Sequence, residues 1–239
     1  MSVEELCGRA MSLGLSIICI TDHLDLDPAD SGFGFYDYDG VSTAIEEARE
    51  KYQGRLTILK GVEFGEPHLH RQELDRALAR DYDMVMASVH CVEGVFVGDP
   101  AFMSGRSLAQ AYALYYQEVL KAARTGGFDV LAHMDFPKRY IGALPEHPPI
   151  VEEITAAAVS QGIALEINTS PLRKGMGECA PDAVAVGFYA RAGGFRVTIG
   201  SDAHRIEDIG AGLEEAARSA RGNCVTPGYF RKRRFTPIV

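Results

Sequence analysis

The sequence contains no closely spaced cysteine pair. Its five cysteines, Cys7, Cys19, Cys91, Cys179 and Cys224, are odd in number and far apart. That usage suits a reducing compartment, and disulfides are not expected. A basic segment leading into an apolar stretch is missing from the start, and no apolar run approaches the roughly 18 residues that a bilayer span needs. A cytoplasmic location with no membrane partner is therefore expected. Positive charge is scarce: 24 Lys and Arg stand against 33 Asp and Glu, a formal net charge of -9. Such a chain has no general attraction for nucleic acid or anionic membranes, so phosphate chemistry would need a local site and a small substrate. Also absent are the G-x-x-x-x-G-K-[ST] loop and the dinucleotide fingerprint. No G-x-S-x-G elbow supports a Ser-His-Asp reading of Ser201, Asp202 and His204.

What is present is enough apolar residue, 46% of 239 positions, to bury one core, and residues 1–239 are expected to form one domain. Neither a repeat nor a low-complexity linker interrupts them. Short apolar and β-branched runs (Leu15–Thr21, Leu56–Val62, Met84–Val89, Val130–Ala132, Ala164–Ile167 and Arg196–Gly200) alternate with segments of helical periodicity. The helical candidates include Val41–Tyr52, Leu108–Arg124, Pro149–Gln161 and Ala180–Ala192. This alternation predicts a parallel α/β architecture.

Each run ends on or just before polar residues: Asp22 and His23, Glu63, His90, His133, Glu166 and Asn168, then Asp202 and His204. The carboxyl ends of parallel strands meet on one face, so these groups are expected to converge there. One histidine after a strand is more often a hydrogen-bonded loop or core residue. Several in succession point to metal. Imidazole and carboxylate without thiolate favour zinc, manganese or iron, and a multinuclear site of this kind suits hydrolysis by a metal-bound hydroxide.

The segments ITDHLD, GVEFGE, ASVH, LAHMDFPKRY, LEINTSPLRKG and GSDAH together resemble the PHP superfamily, specifically its histidinol-phosphate phosphatase branch. The resemblance implies a distorted seven-stranded (β/α) barrel, up to three divalent ions and hydrolysis of a small phosphomonoester, L-histidinol phosphate in this branch. It assigns His23, Glu63, His90, His133, Asp202 and His204 as metal ligands. Glu63 would bridge two ions, His90 and His133 would complete one of these, Asp202 would serve its partner, and His23 and His204 the third. By the same resemblance, Arg139 in Lys138-Arg139-Tyr140 would clamp the substrate phosphate with Tyr140 beside it; guanidinium binds phosphate through paired hydrogen bonds.

Family members begin with a strand ending in H-x-H, and this chain has no such pair. Ser2 and Glu5 instead form a capping-box pattern at a helix start. The first barrel strand is therefore expected to be missing through truncation or a misassigned start, with two strand edges left bare and a homo-oligomer as one way to cover them. The alternatives are a hydrolase with another phosphoester substrate, or an inactive remnant that binds metal or a partner. His68 and His70 read as surface or pocket-rim residues, Cys91 as a small buried hydrophobe, and the Arg231–Arg234 cluster as a solvated tail. His147, among prolines, receives no role, and Glu166 and Asn168 are kept outside the metal shell.

Overall fold

The computed structural model describes residues 1–238. Ten strands occur among them: β1 (Ile17–Leu24), β2 (Thr57–Gly65), β3 (Met84–Ser88), β4 (Cys91–Val92), β5 (Val95–Phe96), β6 (Val130–Leu131), β7 (Ala164–Asn168), β8 (Arg196–Gly200), β9 (Thr226–Arg231) and β10 (Arg234–Pro237). β4 and β5 form a small separate hairpin, and the other eight make one curled sheet in the order β1-β2-β3-β6-β7-β8-β9-β10. Every pairing in it is parallel except the last, between β9 and β10. The expected α/β barrel is thus present as an open half-barrel.

The helices follow from their patterning. Ser107 and Gln110 close a capping box that starts the helix Leu108–Thr125, whose Tyr112, Tyr115, Tyr116, Val119 and Leu120 are buried. Ser2 and Glu5 do the same for Val3–Ser12, as expected. Helices Leu108–Thr125, Ile150–Ser160 and Ala183–Arg191 pack over one side of the sheet, burying a large cluster that includes Phe64, Val85, Leu165 and Tyr189. Among the described residues, no helix is long and apolar enough to cross a membrane.

The carboxyl-terminal segment departs from expectation. Arg231–Arg234 is no solvated tail: it is the turn of the β9-β10 hairpin. Lys232 donates its backbone N–H to Asp83 Oδ1 at 3.1 Å, while Arg233 pairs with Asp129 and donates from Nη2 to the Gly127 carbonyl at 2.6 Å. Asp83 and Asp129 immediately precede β3 and β6, so the turn ties together the amino ends of two strands. Phe230 from the same hairpin packs with Met84, Met86, Val130, Ala132 and Ala164, with Phe235 against them. The hairpin covers β8, one of the two strands expected to be left bare, because β9 pairs with it; the outer strands of the sheet are β1 and β10.

His147 has a structural partner. Its Nε2 lies 2.8 Å from Asp182 Oδ2, while Asp182 Oδ1 accepts the N–H groups of Val184 and Ala185 as the N-cap of Ala183–Arg191. Hydrogen bonding to Asp182 raises the His147 pKa above 6.5. This pair therefore contributes stability below that value and loses it as pH climbs through the raised one. Asp182→Ala is predicted to cost about 1–2 kcal/mol through the lost cap. Urea unfolding should show a larger loss at about pH 6 than at about pH 9, and equal losses would dismiss the His147 contribution.

Candidate metal centre

Strand register assembles the site. The β1-β2 ladder sets His23 opposite Glu63, and β2-β3 sets Glu63 opposite Met86. Both strands run past the ends expected from their apolar runs, so His23 and Glu63 sit within the ladder and not beyond it. His90 follows β3, and His133 follows β6. Three imidazoles thereby turn Nε2 toward one carboxylate: His133 and His90 lie 3.1 and 3.2 Å from Glu63 Oε1, and His23 lies 3.9 Å from Oε2. Ring centroids are 5.5 Å apart for His23 and His90, and 5.4 Å for His90 and His133.

The electrostatics favour positive charge beside Glu63. Burial pushes the Glu63 carboxyl up, but His23 and hydrogen bonds from His133 and His90 outweigh it and hold the group well below the usual range. The Glu63 charge raises His23 to about 9. Burial opposes protonation of His90, yet Asp25, Asp30 and Glu63 together raise it well above its ordinary value. His133 goes the other way, lowered by burial and by Arg139.

Asp202 and His204 complete the expected set less tightly. Asp202 has φ 49, a left-handed backbone that aspartate tolerates better than most residues. Its Oδ2 lies 2.6 Å from Arg139 Nη2 and accepts from Asn168 Nδ2 at 3.2 Å. Despite burial, Arg139 and His133 bring Asp202 down to about 2. His204 is exposed on the rim, its ring 5.5 Å from that of His23.

The substrate-facing candidates lie next to these groups. The Arg139 guanidinium sits 4.8 Å over the Phe136 ring, and Phe136 is itself 4.8 Å from both His90 and His133. Tyr140 is exposed, stacked edge-on to Phe96 and Phe136, with Lys174 Nζ 4.7 Å from its ring. Lys138 points inward, 2.7 Å from Asp135 and 2.5 Å from the Cys179 carbonyl. It is a buried structural cation.

The other polar residues divide. His68 is buried against Glu118 at 2.8 Å, not at the surface or on a pocket rim, and neither it nor His70 joins the cluster. Glu166, buried beside the site, accepts the His133 N–H and the Asn168 amide, both at 3.0 Å. Burial, then Asp202 and Glu63, push its pKa to about 8. Sequence reasoning missed Asp25 and Asp30, which approach the far side of the His90 ring. Alternation along β1 would have found Asp25, since residues two apart share a face with His23. Clefts of about 320 and 480 Å³ occur elsewhere, and none of the expected ligands lines them.

The donor chemistry fits divalent cations. His23, Glu63 and His90 bring ligand atoms within 4.8 Å of one another, and the buried Nδ1 of His133 has no hydrogen-bond partner. Imidazoles and carboxylates beside a guanidinium, on the strand ends of a curled parallel sheet, form the equipment of a metal-dependent phosphoester hydrolase. The family model for the PHP domain matches residues 1–170. A Deinococcus radiodurans protein named "Probable histidinol-phosphatase" is 30% identical over 98% of this chain and 92% of its own length. A similarly named Thermotoga maritima protein is 30% identical over 92% and 84%. In three dimensions the chain resembles a histidinol phosphate phosphatase from Lactococcus lactis complexed with zinc, L-histidinol and phosphate, with TM-score 0.87, 21% identity, and coverage of 98% and 92% of the two chains. This chain belongs to the PHP domain family, in its histidinol-phosphatase branch, a class of phosphomonoester hydrolases.

Zinc or manganese added to the metal-free protein is predicted to stabilise it by about 2.7 kcal/mol when the free ion reaches about a hundred times its Kd. Thermal unfolding reads this directly. The shift is expected to disappear in Glu63→Gln, and its absence from the unsubstituted protein would remove the metal reading.

Proposed function

We propose that this chain, acting as one catalytic domain, hydrolyses L-histidinol phosphate to L-histidinol and phosphate. The observation that carries the reading is the convergence of His23, His90 and His133 on the buried Glu63, with Arg139 stacked on the Phe136 ring that packs against His90 and His133. Divalent ions, zinc, manganese or iron, would be held by His23, Glu63, His90, His133, Asp202 and His204. When bound, they supply an activated water at neutral pH and offset phosphoryl charge.

The chain's own residues do the rest. Arg139, which pairs with Asp202, would offer paired N–H donors to the phosphoryl oxygens. Lys174 adds charge at the mouth, close to the Tyr140 ring. Phe136, Phe96 and Tyr140 form an aromatic wall against which the organic part of a small ester can lie, and the deep burial of His90 and His133 limits competing water. A second reading, another small phosphoester, draws support from a Caldanaerobacter subterraneus relative named "Probable phosphatase TTE1963", 28% identical over 91% of this chain and 75% of its own length.

The test is phosphate release from histidinol phosphate and from a panel of other small phosphomonoesters, with zinc, manganese or iron supplied. Preference for histidinol phosphate is expected; strong preference for another ester moves the assignment to the second reading. Inactivity on every ester, despite metal uptake, would favour a metal-binding remnant. Arg139→Ala is predicted to lower kcat/KM by about a hundredfold. Unchanged kinetics would remove Arg139 from the phosphate site.

A further inference from the structure

Asp25 and Asp30, in the segment that follows β1, lie behind the imidazoles as seen from Glu63. Asp25 has no exposed side-chain surface, and its Oδ2 is 3.1 Å from His23 Nδ1 while its Oδ1 is 3.4 Å from His90 Nδ1. One buried carboxylate therefore touches the non-ligating nitrogen of two rings whose Nε2 atoms face Glu63. Neither Asp25 oxygen and neither Nδ1 meets hydrogen-bond geometry with any group elsewhere, so these close approaches are the contacts left to satisfy them, with Asp30 sharing the His90 nitrogen. Asp30 adds a second carboxylate on one ring only: its Oδ2 is 3.2 Å from His90 Nδ1, while its Oδ1 accepts the Gly32 N–H at 2.7 Å.

The surrounding backbone leaves room for this carboxylate and for little else. A Cβ at Gly32 would lie 2.2 Å from Asp25 Oδ2, and one at Gly65, the last residue of β2, 2.6 Å from Oδ1. Neither glycine has a positive φ, so chain conformation does not explain either. Clearance for the Asp25 side chain does.

A histidine that ligates a metal ordinarily donates its other ring N–H to a carboxylate or carbonyl, which fixes the tautomer and makes the ligating nitrogen more basic. We infer that Asp25 is a positioning residue that orients His23 and His90 together, so that one side chain sets the Nε2 atoms of two rings that face the same Glu63 carboxylate. Asp30 reinforces His90 alone. The inference rests on the metal-centre reading above.

The test uses the full chain loaded with zinc, with affinity measured by competition against a chromophoric chelator and ring N–H resonances followed by NMR. In the unsubstituted protein, His23 and His90 should each show a downfield, slowly exchanging Nδ1 proton. Asp25→Asn should weaken zinc binding by about 10 to 100-fold and shift both resonances. Asp30→Asn should shift that of His90 and leave that of His23 in place, a pattern that general loosening of the fold would not produce. Unchanged affinity and unchanged resonances in Asp25→Asn would overturn the inference while leaving the metal centre standing. Equal disturbance of both rings by Asp30→Asn would overturn it too. If the unsubstituted protein takes up no zinc, the metal-centre reading falls and this inference falls with it.

Discussion

Taking a carboxylate out of water costs several kcal/mol unless charges and donors replace its hydration. Glu63 sits 6% exposed in the wall of the sheet, and three imidazoles replace that hydration. The arrangement cannot be made locally, because the imidazoles come from three separate stretches of chain. It requires β1, β2, β3 and β6 to lie side by side in parallel and in one register. A slip of one residue in β1 would turn His23 to the opposite face and leave the acid short of a partner. The sheet's register and the charge balance of the site are thus a single constraint.

The inner face of the half-barrel divides accordingly. Toward the amino ends of the strands it is apolar, filled by Met84, Val130, Ala164 and Phe230, and tied by Arg233 to Asp129. Toward the carboxyl ends it is almost wholly polar, with Glu63, His90, His133, Glu166 and Asn168 all buried. Buried polar groups at this density are tolerable only if each has a partner. Glu166 shows how: it anchors the His133 backbone, while Glu66 accepts the N–H groups of His90 and Cys91 at 2.6 and 3.0 Å. These acids hold the loops that carry the imidazoles.

Much of this was legible in the sequence because parallel strands buried on both faces read as apolar runs, and the polar residue that follows each run stands out. Boundaries were harder. The run Leu15–Thr21 stops where apolar residues stop, but β1 continues through His23 to Leu24 because His23 pairs in the ladder with Glu63. The β9-β10 hairpin left almost no signal. Pro227 argues against a strand, and the turn residues Lys232 and Arg233 adopt positive φ without the Asn-Gly or Asp-Gly pair that marks such turns. Its order comes from Asp83 and Asp129, about a hundred residues or more away in sequence, which no local pattern can reveal. Asp25 is hidden for a different reason: nothing local in the sequence marks it as a partner of His90, whose position depends on β3.

The two halves of the site differ in their access to solvent. His90 and His133 have 3% and 2% of their side-chain surface exposed, whereas His23 has 33% and His204 66%. The exposed pair lies toward β1, whose outer edge has no strand partner among the described residues. A cation between Glu63, His90 and His133 would be walled by Phe136 and held by rings with little freedom to move. One near His23 and His204 would have an exposed ligand and ready access for water and competing chelators. Since affinity depends on how little a ligand set must reorganise, the walled position should fill first and exchange slowest. The outer position is then the part of the centre most dependent on conditions, and Asp25, touching a ring in each half, is the structural link between them.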